Sequence, residues 1–237
     1  MATKIKDRSP TREPLSRERI LGTAVALADE AGVDSLSMRR IAQELGVVPM
    51  ALYKHVSNKE ELLDGLVDAV IDEIEPPIAG ADWKTTMRER ILSARRALLR
   101  HPWASQVIES RAEPIPTVIG YIDSMMGIFL RGGFSVDLMH HAIHVMGSRI
   151  LGFSQELFDD TASVPEDEAL AMWTQMAEAY PNIATLVGAV SGGEIEHDEE
   201  SIVGGGCDDQ FEFEFALDLI LDGLERLRER ETTLARD

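Results

Sequence analysis

The chain has 237 residues, is 44% hydrophobic and carries a formal net charge of −19. That length allows one large or two modest domains, each with its own core. No apolar run approaches the roughly 20 residues of a membrane span. The opening MATKIKDRSPTREP has no apolar signal core, and the single Cys207 excludes an internal disulfide framework. A soluble cytoplasmic protein with no cofactor is expected.

The charge is unevenly spread. Residues 1–60 hold ten Lys/Arg against eight Asp/Glu, and the rest of the chain holds 13 against 34. A slightly basic head on a strongly acidic body turns the head toward phosphates and holds the body away from them.

Residues 1–14 read as a flexible cationic arm, able to add minor-groove or phosphate contacts or simply to remain a loose terminus. Ser16 caps a helix to about Ala31, ended by Gly32, with Ile20, Ala24, Leu27 and Ala28 inward. Ser35 or Ser37 caps the next helix, whose apolar stripe is Ile41, Ala42 and Leu45. Gly46 stands where the chain leaves that helix with positive φ, Val47 and Val48 bridge the turn, and Pro49 suits a first helical turn. Leu52 and Val56 are spaced to face inward. Met50, Ala51, Tyr53, Lys54 and His55 are left pointing outward.

That outward face is small, apolar and aromatic, with one cation and no acid. It suits a helix entering a DNA major groove: small groups can approach thymine methyls, donors can reach base edges, and no carboxylate repels the backbone. A helix-turn-helix whose second helix reads DNA has this layout; an ordinary two-helix corner also fits the pattern. Ser57-Asn58 then breaks the chain. Lys59 opens a helix to about Glu75, with Leu62, Leu63, Leu66, Val70 and Ile74 inward, and Pro76-Pro77 stops it.

Beyond this point the chain is expected to be helical over about 83–100, 117–130, 135–158, 165–180 and 210–230, broken at His101-Pro102, Pro114–Pro116, Gly132-Gly133 and Pro181. No stretch alternates like a strand, so the fold class is all-α. Residues 191–209 are acidic and glycine-rich and read as a mobile loop. The domain plan is an arm at 1–14, a three-helix head at 15–60, a linker helix at 61–76 and a helical domain at 82–230. Helices 135–158 and 210–230 are apolar on more than one side, which argues for pairing with a second copy.

The run SMRRIAQELGV followed by LYKHVSNKEELLD resembles the DNA-binding domain of the TetR family of bacterial transcriptional repressors. The similarity extends more weakly through most of the chain, toward the tetracycline-repressor branch. It implies a homodimer on palindromic double-stranded DNA, released by a small-molecule effector in a C-terminal cavity. The implied DNA-binding residues are Arg39, Pro49, Met50, Ala51, Tyr53, Lys54, His55 and Lys59, with Arg39 preferred to Arg40 for phosphate. Candidate effector-lining residues are Trp103, Val107, Ile108, Met125, Met126, Phe129, Met139, Met146 and Phe153, joined by Arg111 and Glu156; ordinary core packing is the simpler reading for any one of the apolar ones taken singly.

The magnesium–tetracycline ligand set of the branch is not kept. Glu75 stands near one of its histidine positions, Ile108 near the other and Arg90 at its asparagine, so the natural effector is expected to be a different, largely apolar molecule with no metal. His140 and His144 share the spacing of two zinc ligands, but no third ligand or glutamate accompanies them, and an interface or packing role is the simpler reading. No catalytic motif is present, so no enzyme is expected. The alternatives are an effector-sensing activator, or a helical adaptor that binds protein through the same face and has no operator.

Overall fold

The computed structural model describes residues 14–152, 179–182, 185 and 209–234. Among them every regular element is helical. The chain divides into two compact units, Met1–Met139 and His140–Asp237.

The first unit opens with α1 (Arg17–Ala31), α2 (Met38–Leu45), α3 (Pro49–Leu52) and α4 (Lys59–Asp72). A 3-10 turn, Val33–Ser35, lies between α1 and α2. The boundaries follow from side-chain caps. Ser16 accepts the Arg19 N–H at 3.2 Å, Ser37 the Arg40 N–H at 3.2 Å, and Asn58 the Glu61 N–H at 2.8 Å, each satisfying an amide that the first turn leaves without a carbonyl. Of the two serines considered for α2, Ser37 is the cap. Gly46 ends α2 with φ 64°, a left-handed conformation that costs other residues a Cβ clash. Pro49 takes the first position of α3.

Two helices are shorter than the sequence suggests. The reader helix ends at Leu52 and continues as a tight turn, with the His55 and Val56 amides both donating to the Leu52 carbonyl at 2.8 and 3.0 Å. This shared acceptor winds the last turn tightly and still carries Val56 to the inner side. The linker helix α4 stops at Asp72 rather than near Glu75: the Glu73 and Ile74 amides turn back to Val70 and Ile71 at 3.2 and 3.1 Å ahead of the two prolines.

The rest of the unit comprises α5 (Trp83–Arg100), α6 (Trp103–Ser110), α7 (Pro116–Arg131) and the start of α8 (Val136–Gly152). Asp82 caps α5 twice, accepting the Thr85 N–H at 2.9 Å and the Thr85 hydroxyl at 2.7 Å. One continuous core runs from Ile20, Ala24 and Leu27 through Ile41, Leu52, Val56, Leu62 and Leu66 to Ala97, Trp103, Ala104, Val107 and Ile115. The head therefore has no private core; α6 completes it. At about 25 cal/mol per Å² of apolar surface, each of these larger side chains contributes roughly 1.5–3 kcal/mol. Gly65 allows α4 to lie close on α1, because a Cβ there would fall 2.8 Å from Leu21 Cδ2. Trp83, Phe129 and Phe134 form a second aromatic cluster, with centroids 4.6–5.8 Å apart and edge-on or tilted rings.

The second unit contains the remainder of α8 and α9 (Asp209–Leu234). On α9 Phe213, Leu217, Leu221 and Leu224 are buried, whereas Phe215, Leu219 and Leu227 are exposed. The expected helix 165–180, the acidic loop 191–209 and the far end of helix 135–158 lie outside the described residues. So does the arm, apart from Pro14.

Candidate nucleic-acid interface and effector region

The α2–turn–α3 segment is pinned from beneath. Ile41, Ala42, Leu45, Leu52 and Val56 are all buried, and the Val47 amide closes on the Ala42 carbonyl at 2.9 Å. Fixed supports leave the opposite face fixed as well. On it Met50 is 71% exposed, Val48 68% and Tyr53 42%. Lys54 is exposed beside them, and Ala51 and His55 are half-buried at its edge. Large apolar groups so open to water on a rigid surface mark a contact site.

The cations around this face differ in freedom. Arg39, Lys54 and Lys59 are exposed, and their side chains make no hydrogen bond or ion pair among the described residues. Arg40 is engaged: it donates to Ser35 Oγ at 2.9 Å and lies 3.8 Å from a Glu30 carboxylate oxygen. Arg39 is thus the one of the two with its guanidinium available. Lys59 sits at the first residue of α4, and Glu61 is drawn back to the Ser57 N–H at 2.7 Å. That bond comes first among the causes holding the Glu61 carboxyl below its usual range.

Sequence reasoning treated Val48 only as part of the turn, yet it is as exposed as Met50. A β-branched residue directly before a helix-opening proline is held extended by the proline ring. Its φ and ψ are −81° and 144°, and that restriction was the available signal.

A polar junction joins the head to α5 and α6. His101, buried where α5 ends, has Nδ1 2.8 Å from Asp29 Oδ1 on α1 and Nε2 3.1 Å from Glu73 Oε1 at the end of α4. Trp103 Nε1 donates to the same Asp29 oxygen at 2.6 Å. Arg100 pairs with Glu73. Burial raises the Glu73 pKa, but the bonds from Arg100 and His101 outweigh it and leave the carboxyl below its ordinary value. Nothing in the sequence pattern singles out this group.

The effector candidates are dispersed. Trp103 and Val107 lie in the core shared with the head, and Ile108 is half-buried against it. Arg111 is held by Asp64 of α4, with Nη2 2.8 and 3.0 Å from its two oxygens. Met125 and Phe129 are buried on α7 and Met146 on α8; Met126 and Met139 are half-buried. Phe153 and Glu156 lie outside the residues whose side chains are described. His140, His141 and His144 are exposed along α8, with His140 edge-on to the other two at 5.3 and 4.7 Å between centroids. Glu75 lies 3.5 Å from Arg96.

The family profile described as "Bacterial regulatory proteins, tetR family" matches residues 20–66. The profile "Tetracyclin repressor-like, C-terminal domain" matches residues 76–228. The chain belongs to the TetR family.

This TetR-family chain is 29% identical over 236 residues to the HTH-type transcriptional repressor DrrR1 of Streptomyces coeruleorubidus, covering 93% of this chain and 82% of that one. It is 31% identical over 158 residues to the class D tetracycline repressor protein of Escherichia coli, covering 65% and 72%. Apo ActR from Streptomyces coelicolor superposes with a TM-score of 0.67 at 27% identity, covering 92% of this chain and 99% of that one. ActR in complex with actinorhodin gives 0.65 at 26% identity, covering 91% and 99%. The TetR-family chain is accordingly a DNA-binding helix-turn-helix transcription regulator with an all-α fold. Among the described residues no helix is long and apolar enough to cross a membrane.

Proposed function

We propose that this protein is a homodimeric, one-component repressor that binds a palindromic operator and is released by a small-molecule effector. The exposed, acid-free face of Val48, Met50, Tyr53 and Lys54 on a buried support is the observation that carries the reading. In this reading Met50, Ala51, Lys54 and His55 face the major groove with Pro49 at its edge, and Tyr53, Arg39 and Lys59 hold phosphates. The head spans 15–60, the linker helix follows to 76, and 82–230 forms the ligand-binding and dimerisation domain.

One short helix reads only a few base pairs, so two heads about one helical turn apart are needed. The exposed Phe215, Leu219 and Leu227 of α9 and Val145 of α8 supply apolar surface for pairing with a second copy. The effector, bound by some of Ile108, Arg111, Met125, Phe129, Met146, Phe153 and Glu156, favours a dimer whose heads do not fit one side of a duplex. Trp103 and Val107, packed into the core that α6 shares with the head, would carry that change rather than touch the ligand. The effector is not the magnesium–tetracycline complex. No enzymatic step is involved, and the protein acts in the cytoplasm.

The test is a gel shift on the DNA upstream of the chain's own gene across a salt series. Phosphate neutralisation predicts affinity that falls log-linearly with salt. A salt-insensitive complex, or one with protein alone, would favour the adaptor reading. An inducing molecule must weaken operator binding by the same factor by which operator weakens its own binding.

A further inference from the structure

Three histidines stand close together on α8: His140, His141 and His144. All three are exposed. The inner side of this stretch is taken by Ala142 and Met146, which are buried. The imidazoles therefore do not serve the core of their own chain, and packing within it no longer accounts for them. They stand edge-on to one another. The His140 and His144 rings lie 4.7 Å apart between centroids, at an interplanar angle of 74°. The His140 and His141 rings lie 5.3 Å apart, at 73°.

Spacing decides which two rings can share a ligand. Residues four apart on a helix stand one above the other on the same face, whereas adjacent residues diverge by about 100°. His140 and His144 thus project together, and His141 leaves the helix in another direction. Tetrahedral bonds to zinc of about 2.0–2.1 Å hold two imidazole nitrogens about 3.3 Å apart. Imidazole nitrogens sit at the ring rims, so rings with centroids 4.7 Å apart reach that separation by rotation about χ2. That torsion is broad for histidine, and exposure leaves room for it.

The donor type selects the ion. Neutral imidazole suits Zn²⁺, Ni²⁺ and Cu²⁺, whereas Mg²⁺ and Ca²⁺ demand oxygen. No group of three ligating side chains converges among the described residues. Water therefore completes the coordination, and the site is open and exchanges its ion, unlike a closed four-ligand zinc site. The acidic body favours a cation as well, since the chain beyond residue 60 holds 13 Lys/Arg against 34 Asp/Glu. We infer that His140 and His144 chelate one divalent transition-metal ion of the zinc type per protomer on the outer face of α8, and that His141 is not a ligand. The ion ties residue 140 to residue 144 and clamps one turn of the helix. Metal binding here requires neither operator nor effector.

The test is calorimetric titration of zinc chloride into full-length, tag-free protein that has been stripped with EDTA, in a non-chelating buffer containing excess magnesium chloride. Wild type is expected to take up one zinc per protomer more than His140→Ala or His144→Ala, in the micromolar range and despite the magnesium. His141→Ala should match wild type within twofold in affinity. All three side chains are exposed, so the variants should keep the wild-type Tm without metal. Zinc should then raise the Tm of wild type and His141→Ala above that of the other two, since a ligand of the folded state stabilises it by mass action. Zinc held at His197 or Cys207 would be taken up by every one of these variants and cancels in the comparison. Equal uptake by wild type and both His140→Ala and His144→Ala, loss of the site in His141→Ala, displacement by magnesium, or one zinc shared between two protomers would each overturn the inference.

Discussion

Replacing Asp29 by alanine should be among the most damaging single changes in the head, although Asp29 faces partly outward and lies away from the reader segment. One carboxylate oxygen serves two buried donors, Trp103 Nε1 at 2.6 Å and His101 Nδ1 at 2.8 Å. Trp103 is 5% exposed and His101 6%, so water cannot readily replace the lost acceptor. Each buried donor left without a partner costs about 1–3 kcal/mol. Partial access through the vacated Asp29 site lowers the sum, giving a loss of about 2–4 kcal/mol. For a chain of this size that corresponds to a drop in Tm of roughly 5–15 °C. Asp29→Asn keeps a neutral acceptor for the indole but not the charge facing His101, and should lose about half as much. The assay is urea and thermal unfolding at one fixed protomer concentration, because a dimer's midpoint depends on concentration. A loss below about 0.5 kcal/mol for Asp29→Ala, the range of ordinary surface changes, would refute the view that this junction fastens the head to α5 and α6.

Tyr53→Ala should weaken operator binding about tenfold, roughly 1.4 kcal/mol, with Tm unchanged; equal affinity in gel shifts would remove Tyr53 from the interface. Gly132→Ala should destabilise by about 1–3 kcal/mol, since its Cβ would fall 2.7 Å from Trp83 Cβ, while Gly22→Ala in α1 meets nothing within 4 Å and should stabilise by about 0.4–1 kcal/mol. Urea midpoints of the two variants moving in the same direction would contradict this packing. Glu73, Glu61 and Asp82 all have folded-state pKa values below their ordinary ones, Asp82 chiefly through the Thr85 N–H. Their contribution to stability is therefore complete above the usual carboxylate range and lost as pH falls through the lowered values. Tm should decline on acidification below about pH 4.5, and Glu73→Gln should flatten that decline; an unchanged pH profile would argue against it.

Much of this molecule could be read from short windows of sequence. Ser16, Ser37, Asn58 and Asp82 begin helices, Gly46 and Pro49 frame the turn, and Ile41, Leu45, Leu52 and Val56 face inward because each signal acts over three or four residues of backbone geometry. The exposed reader face follows from the same periodicity, although the tight winding after Leu52 and the openness of Val48 do not. Contacts between distant residues belong to another order of information. Asp29 meets Trp103 across 74 positions and Arg90 meets Ser124 across 34, and no local rule links such pairs. Only the packing of α6 into the head's core and of α7 beside α5 decides which donors find acceptors. Sequence alone thus determined where the helices of the first unit begin and which residues around the α2–α3 turn face inward. Tertiary structure decided that the head leans on α6, and that Arg90 Nε and the Tyr121 hydroxyl are buried without an acceptor among the described residues, because burial and pairing are properties of the packed chain rather than of any segment.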